Sequence, residues 1–169
     1  MTPKDHDWKT TLHQGMRGQD EIKEWLESKE ETVEVVDVSQ VKAYQVIDID
    51  FIWIHGGKIT TMEIKSDQYD MKRSNNIFLE TVGNVEKGKV GCFFNTKSEY
   101  YYYYFVKNKY VFKLPIKECR EWFVKNMHRF ERKQLSTNKL YHSEGYLIPR
   151  DVLMDETSTL MEHVTQNFK

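Results

Sequence analysis

Three residues near the middle of the chain, Asp50, Glu63 and Lys65, have the types and spacing of a hydrolytic centre. Side chains alternate along an extended strand, so Thr61, Glu63 and Lys65 would share one face and Thr60, Met62 and Ile64 the other. A hairpin turning at Gly56 and Gly57 would, counted outward from the turn, set residue 50 opposite residue 63. Two carboxylates so placed repel each other unless a divalent cation lies between them. The carbonyl of Ile64 could add another oxygen. Hard oxygen donors suit Mg²⁺ or Mn²⁺, whose bound water can act as a nucleophile while the Lys65 ammonium orients it or stabilises developing charge. Asp48 falls on the same face as Asp50 and is an alternative ligand; Asp50 is preferred because it lies closer to the turn. A Glu-x-Lys pair on an exposed strand is also a common surface ion pair, so the surrounding elements decide between the readings.

Those elements are legible in outline. Ile22, Trp25 and Leu26 recur at helical spacing, with Asp20 and Glu21 near the start, and predict an amphipathic helix over 18–28. The β-branched run 33–38 predicts a strand, residues 44–54 and 58–65 the hairpin, and 77–81 another strand. The Gly- and Lys-rich stretch 83–89 reads as a loose connection. Residues 100–106 and 110–114 flank Asn108 and Lys109 as a second hairpin, and Pro115 opens a helix with Ile116, Cys119, Phe123 and Met127 on one side. Of the consecutive tyrosines 100–104, alternation would bury one set and leave the other to stack on bases or bind phosphate. Residues 134–138 are polar without clear periodicity, 145–148 have strand character, and a last helix is expected from Pro149 through Leu153, Leu160 and Val164. A helix, then strands, then helices indicates a single α/β or α+β domain over 1–169.

Composition narrows the function classes. With 169 residues, 25 Lys+Arg against 26 Asp+Glu and a formal net charge of −1, the chain has no global basic field, so a nucleic-acid partner must be held by a local patch. Charge is nonetheless uneven: residues 20–37 carry a net −6 and residues 117–139 a net +4. That polarity suits a cleft with metal at one end and phosphate at the other. Cys92 and Cys119 are too isolated for a zinc knuckle or a disulfide framework, the histidines (among them His55, His128 and His142) lack metal-binding spacing, and there is no phosphate loop of Walker type. No apolar stretch approaches ~18 residues and the first residues lack a signal-peptide pattern, so the expectation is a cytoplasmic protein without membrane contact.

The order of motifs resembles the PD-(D/E)xK nuclease superfamily, with its restriction-endonuclease-like fold, and within it small phage or prophage nucleases and Holliday junction resolvases. The resemblance rests on Gln45-Val46-Ile47-Asp48-Ile49-Asp50-Phe51, on Thr61-Met62-Glu63-Ile64-Lys65-Ser66-Asp67, and on Asn75-Asn76-Ile77-Phe78-Leu79-Glu80. It continues through Gly91-Cys92-Phe93-Phe94 and the tyrosine-rich segment, covering about residues 18–123. It implies an α/β fold with a mixed central β-sheet flanked by helices. By the same resemblance Asp50, Glu63, the Ile64 carbonyl and a first-helix glutamate, Glu21 in preference to Glu24, would hold Mg²⁺ or Mn²⁺, with Lys65 as the catalytic lysine. Glu80 is a further candidate. The expected activity is phosphodiester hydrolysis in nucleic acid, DNA ahead of RNA, with Lys72, Arg73, Arg129, Arg132 and Lys133 contacting backbone phosphates. Related enzymes often cut as dimers, which leaves a homodimer open, and a fold retained as a non-catalytic accessory subunit is the rival reading.

Overall fold

The computed structural model describes residues 8–138 and 141–165. It is a mixed α/β structure in which a six-stranded sheet is covered on one side by a long helix and on the other by a second sheet and shorter helices. Helix α1 (Trp8–Glu27) leads into β1 (Thr32–Asp37), a short helix α2 (Lys42–Gln45), β2 (Phe51–His55) and β3 (Lys58–Asp67). Then come β4 (Asn76–Asn84), β5 (Lys89–Val90), α3 (Cys92–Asn95), β6 (Tyr100–Phe105), β7 (Tyr110–Pro115) and α4 (Ile116–Asn126). The chain continues through β8 (Glu131–Asn138), β9 (Tyr141–Pro149), α5 (Arg150–Glu156) and β10 (Leu160–His163).

The first sheet runs β1-β2-β3-β6-β7-β10; β3 and β6 are parallel and the other neighbours antiparallel. The second, β5-β4-β9-β8, is antiparallel throughout. Gly56 and Gly57 adopt positive φ (50° and 74°), the left-handed pair that a tight hairpin needs and that glycine supplies without steric cost.

Alternation along β3 and β6 divides the core in two. Met62, Ile64, Tyr102 and Tyr104 pack with Ile22, Trp25 and Leu26 of α1, while Tyr101 and Tyr103 pack with Ile77 and Leu79 of β4, Ile148 of β9, and Cys119 and Phe123 of α4. Both tyrosine sets are therefore buried: Tyr101–Tyr104 are at most 3% exposed, and the expected base-stacking set is core instead. A central strand covered on both faces has no solvent side.

Three expected elements differ. Residues 44–50 are not strand, because α2 is followed by Asp48 in the left-handed region (φ 45°) and extended pairing resumes only at Phe51. The polar segment 131–138 is a strand, at the edge of the second sheet; its described side chains through Leu135 are exposed, so there was no apolar face for a pattern to reveal. The last helix stops at Glu156. Thr157 turns its hydroxyl back to the Leu153 carbonyl at 2.6 Å, and residues 160–163 instead pair as β10 with β7. Among the described residues no helix is long and apolar enough to cross a membrane.

Candidate active site

Pairing of Phe51 with Met62, continued one step past β2, brings Asp50 level with Glu63. The Asp50 amide donates to the Met62 carbonyl at 2.9 Å, and Asp50 Oδ2 accepts the Ile64 amide at 2.8 Å, fixing the carboxylate over β3. Phe51 and Met62 point towards α1, so Asp50, Glu63 and Lys65 point to the opposite face, towards the second sheet. The Asp50 and Glu63 carboxyl groups are within hydrogen-bonding contact. Burial pushes Asp50 up to about 6, outweighing the hydrogen bonds with the Ile64 amide and Glu63 that lower it, with smaller upward contributions from the charges of Asp37 and Asp48. Burial and the neighbouring Asp50 and Asp48 push Glu63 well above the ordinary glutamate value. Such a pair retains a proton near neutrality because two like charges cannot both ionise cheaply at short range.

Lys65 lies two residues on. Its Nζ is 3.6 Å from Glu80 Oε2, which reaches across from β4 at a break in the β4–β9 register between Glu80 and Val82. Bulges of this kind re-aim side chains. The sulfur of Cys92, against the opposing effect of burial, and then Glu80 and Glu63 raise Lys65 above the usual lysine range. Burial lifts the Cys92 thiol itself to about 12, so at neutral pH Cys92 is uncharged and the carboxylates are what hold the ammonium. Lys65, Glu80, Asp48 and Cys92 line a cleft of about 250 Å³ whose other lining residues are Gly83, Lys89, Val90 and Tyr141.

Asp48 owes its place to α3 and the segment that follows it. Asn95 Nδ2 donates to its carboxylate at 2.9 Å, Thr96 Oγ1 donates to its carbonyl at 2.5 Å, and Arg120 of α4 clamps the Phe93 and Thr96 carbonyls at 2.7 and 2.6 Å. A non-glycine residue in the left-handed region stores some strain, which Asp tolerates better than most residues.

Glu21 does not join this group. It lies on the α1 face of the sheet, 5% exposed, where Lys109 Nζ at 2.6 Å, the Tyr104 hydroxyl at 2.5 Å and Arg17 Nε at 3.1 Å all donate to it. The expected fourth ligand is thus a satisfied ion pair on the wrong side of β3, and Glu24 is exposed. Ile64 buries its side chain towards α1 and is tied to the site through its amide. Among the described residues no three His, Cys, Asp or Glu groups are close enough to hold a metal ion together.

Of the expected phosphate contacts, three already have acidic partners: Arg129 pairs with both carboxylate oxygens of Glu156 at 2.8 Å, Arg132 pairs with Glu144, and Lys133 lies 2.6 Å from Glu131. Lys72 and Arg73 are exposed on the turn after β3. Gly83, Lys89, Cys92 and Tyr141 carry no local signal that marks them as cleft residues, because only the placement of the second sheet against the first brings them there. No protein-family model, no curated protein and no solved structure matches this chain.

Proposed function

We propose that the protein is a Mg²⁺- or Mn²⁺-dependent nuclease of PD-(D/E)xK type, with a restriction-endonuclease-like core, that hydrolyses phosphodiester bonds in nucleic acid, DNA in the first place. The observation that carries the reading is the Asp50–Glu63 carboxyl pair, held level across a hairpin with Lys65 next to it on the same face. The donor set fits such a cation: two hard carboxylates pressed together without a positive partner between them suit Mg²⁺, which is commonly held by one or two carboxylates with the rest of its shell from water and phosphate. When bound there, the ion would supply Lewis-acid stabilisation of phosphate charge and a more acidic water. Asp50 and Glu63 bind and orient; the amide of Ile64 keeps Asp50 in place. Lys65, protonated and steered by Glu80, places positive charge where a phosphate oxygen gains negative charge.

The test is incubation of purified protein with supercoiled plasmid, branched DNA and single-stranded RNA in Mg²⁺, Mn²⁺ or EDTA. Cleavage is expected with either cation, none in EDTA, and none by Glu63→Gln, whose amide keeps the shape and loses the charge. Cleavage by Glu63→Gln at the parental rate would remove the proposed site. Lys65→Ala should lose at least ~100-fold in rate while DNA affinity changes only a few-fold, because one ammonium acts mainly in the transition state whereas binding is spread over many contacts.

A second reading, nucleic-acid or protein binding without turnover, is favoured by one observation: no third metal-binding side chain stands beside Asp50 and Glu63 among the described residues. It predicts binding with no cleavage under every condition of the same experiment.

A further inference from the structure

The cleft has two ammonium groups and they stand differently. Lys65, on the first sheet, is matched by Glu80. Lys89, contributed by β5 of the second sheet and paired through its backbone with Asn84, has an exposed side chain with no hydrogen-bond or ion-pair partner among the described residues, yet it lines the same cleft. Its backbone is held in place: Val90 pairs with Val82, and the Gly91 amide donates to the Thr81 carbonyl at 2.9 Å. The strands approach so closely there that a Cβ on Gly91 would fall 2.4 Å from the Glu80 carbonyl oxygen. A Cβ on Gly83 would lie 3.3 Å from the Val90 carbonyl oxygen and 3.4 Å from Glu80 Oε1, so its absence keeps that part of the wall low.

An uncompensated cation carried on a backbone held at the wall of a cleft, where the other cation is already matched, is suited to an anionic ligand that enters after folding. We propose that Lys89 binds a backbone phosphate of the substrate strand beside the one presented to Lys65, making β5 the substrate-positioning wall of the cleft; this rests on the nuclease reading. A phosphodiester carries one charge per nucleotide, so one ammonium per bound phosphate matches it, and this contact would be made equally before and during the reaction. Lys89 therefore acts on binding and not on the chemical step.

The experiment measures fluorescence anisotropy of a short fluorescein-labelled single strand and of its duplex in EDTA, from about 50 to 200 mM salt, for the parent, Lys89→Ala, Lys89→Arg and Lys87→Ala. Loss of one phosphate contact should reduce the slope of log affinity against log salt by about 0.9 on duplex or about 0.7 on single strand, weakening binding about tenfold at the lowest salt. Lys89→Arg should keep the parental slope, and Lys87→Ala, on the turn before β5 and outside the cleft, should change it by less than half as much. In Mg²⁺ the Lys89→Ala protein should show a raised KM with kcat within about twofold of the parent. Parental slope and KM in Lys89→Ala would overturn the assignment while cleavage by the parent left the nuclease reading standing. Equal effects of Lys87→Ala and Lys89→Ala would also overturn it, as diffuse charge. A parent that neither binds nor cuts DNA would overturn both together.

Discussion

The first sheet carries acidic groups on both faces, buried Glu21 on one and the half-buried pair Asp50 and Glu63 on the other, and the two are held in opposite ways. On the α1 side Glu21 is surrounded by donors: burial works against its charge, but hydrogen bonds from Lys109, Tyr104 and Arg17 more than offset it and hold the carboxyl below the ordinary glutamate value. On the other side Asp50 and Glu63 face each other with Asp48 and Asp37 adding to the negative potential, and both are raised. Glu21 is completed by the fold itself, so it needs nothing further. Asp50 and Glu63 are left incomplete, at a cost in stability that only a proton or a cation relieves. On the nuclease reading, incomplete compensation, more than burial of charge as such, is what singles out this face for the proposed cation.

The largest expected effect comes from breaking the completed side. Glu21→Ala leaves the Lys109 ammonium and the Tyr104 hydroxyl without their partner, which for a buried charged contact costs about 3 kcal/mol, or on the order of 10 °C in melting temperature for a chain of this size. The loss should be the same in EDTA and in Mg²⁺, as read by differential scanning fluorimetry, and the folded protein should still cut DNA. If the Mg²⁺ response vanished with Glu21, the division between the two faces would be wrong.

Next in size is completion of the other side. Mg²⁺ at about 100 times its dissociation constant should stabilise the parent by about 2.7 kcal/mol, and Asp50→Asn should respond hardly at all. In EDTA, Asp50→Asn should melt higher than the parent, since it removes one of two like charges.

The two faces also predict opposite pH dependences in EDTA, smaller in size. Glu21, with a lowered pKa, contributes stability above the unfolded value near 4.5 that is lost as the pH falls. Asp50 and Glu63, with raised pKa values, contribute stability that is full below about pH 4 and is lost as the pH rises through about 6 and beyond. Melting temperature should therefore decline on both sides of a maximum in mildly acidic buffer. Glu63→Gln should flatten the high-pH limb and leave the low-pH limb alone.

The sequence made the Asp50–Glu63 face readable because its geometry is local: a Gly-Gly turn and strand alternation bring residues thirteen apart into register. Glu21 was misread for a related reason. It sits on the same α1 stripe as Gly18, Ile22, Trp25 and Leu26, so its burial was visible in the periodicity, but helical phase says nothing about which face of a sheet the helix covers. Lys89 and Gly83 reach the cleft only because β4 pairs with β9 and the second sheet packs on Tyr101 and Tyr103, a long-range arrangement with no local signature. Both faces of β6 read as tyrosine, so alternation alone could not show that each was covered.

The smallest expected effect separates Asp48 from Asp50, the two ligand candidates that the strand pattern left open. Asp48 shares the negative potential but not the hairpin register: its left-handed backbone takes it out of the strand, and its carboxylate is already engaged by Asn95 Nδ2 at 2.9 Å. Asp48→Asn keeps a residue that tolerates the left-handed region and removes one unit of negative charge from the neighbourhood of Glu63. It should raise the melting temperature in EDTA by about a degree, less than Asp50→Asn does, because the removed charge is not the one in contact with Glu63. Unlike Asp50→Asn, it should preserve most of the Mg²⁺-induced shift. A Mg²⁺ response lost in Asp48→Asn and kept in Asp50→Asn would move the cation two residues along the chain, out of the hairpin pair and onto the loop held by Asn95 and Thr96.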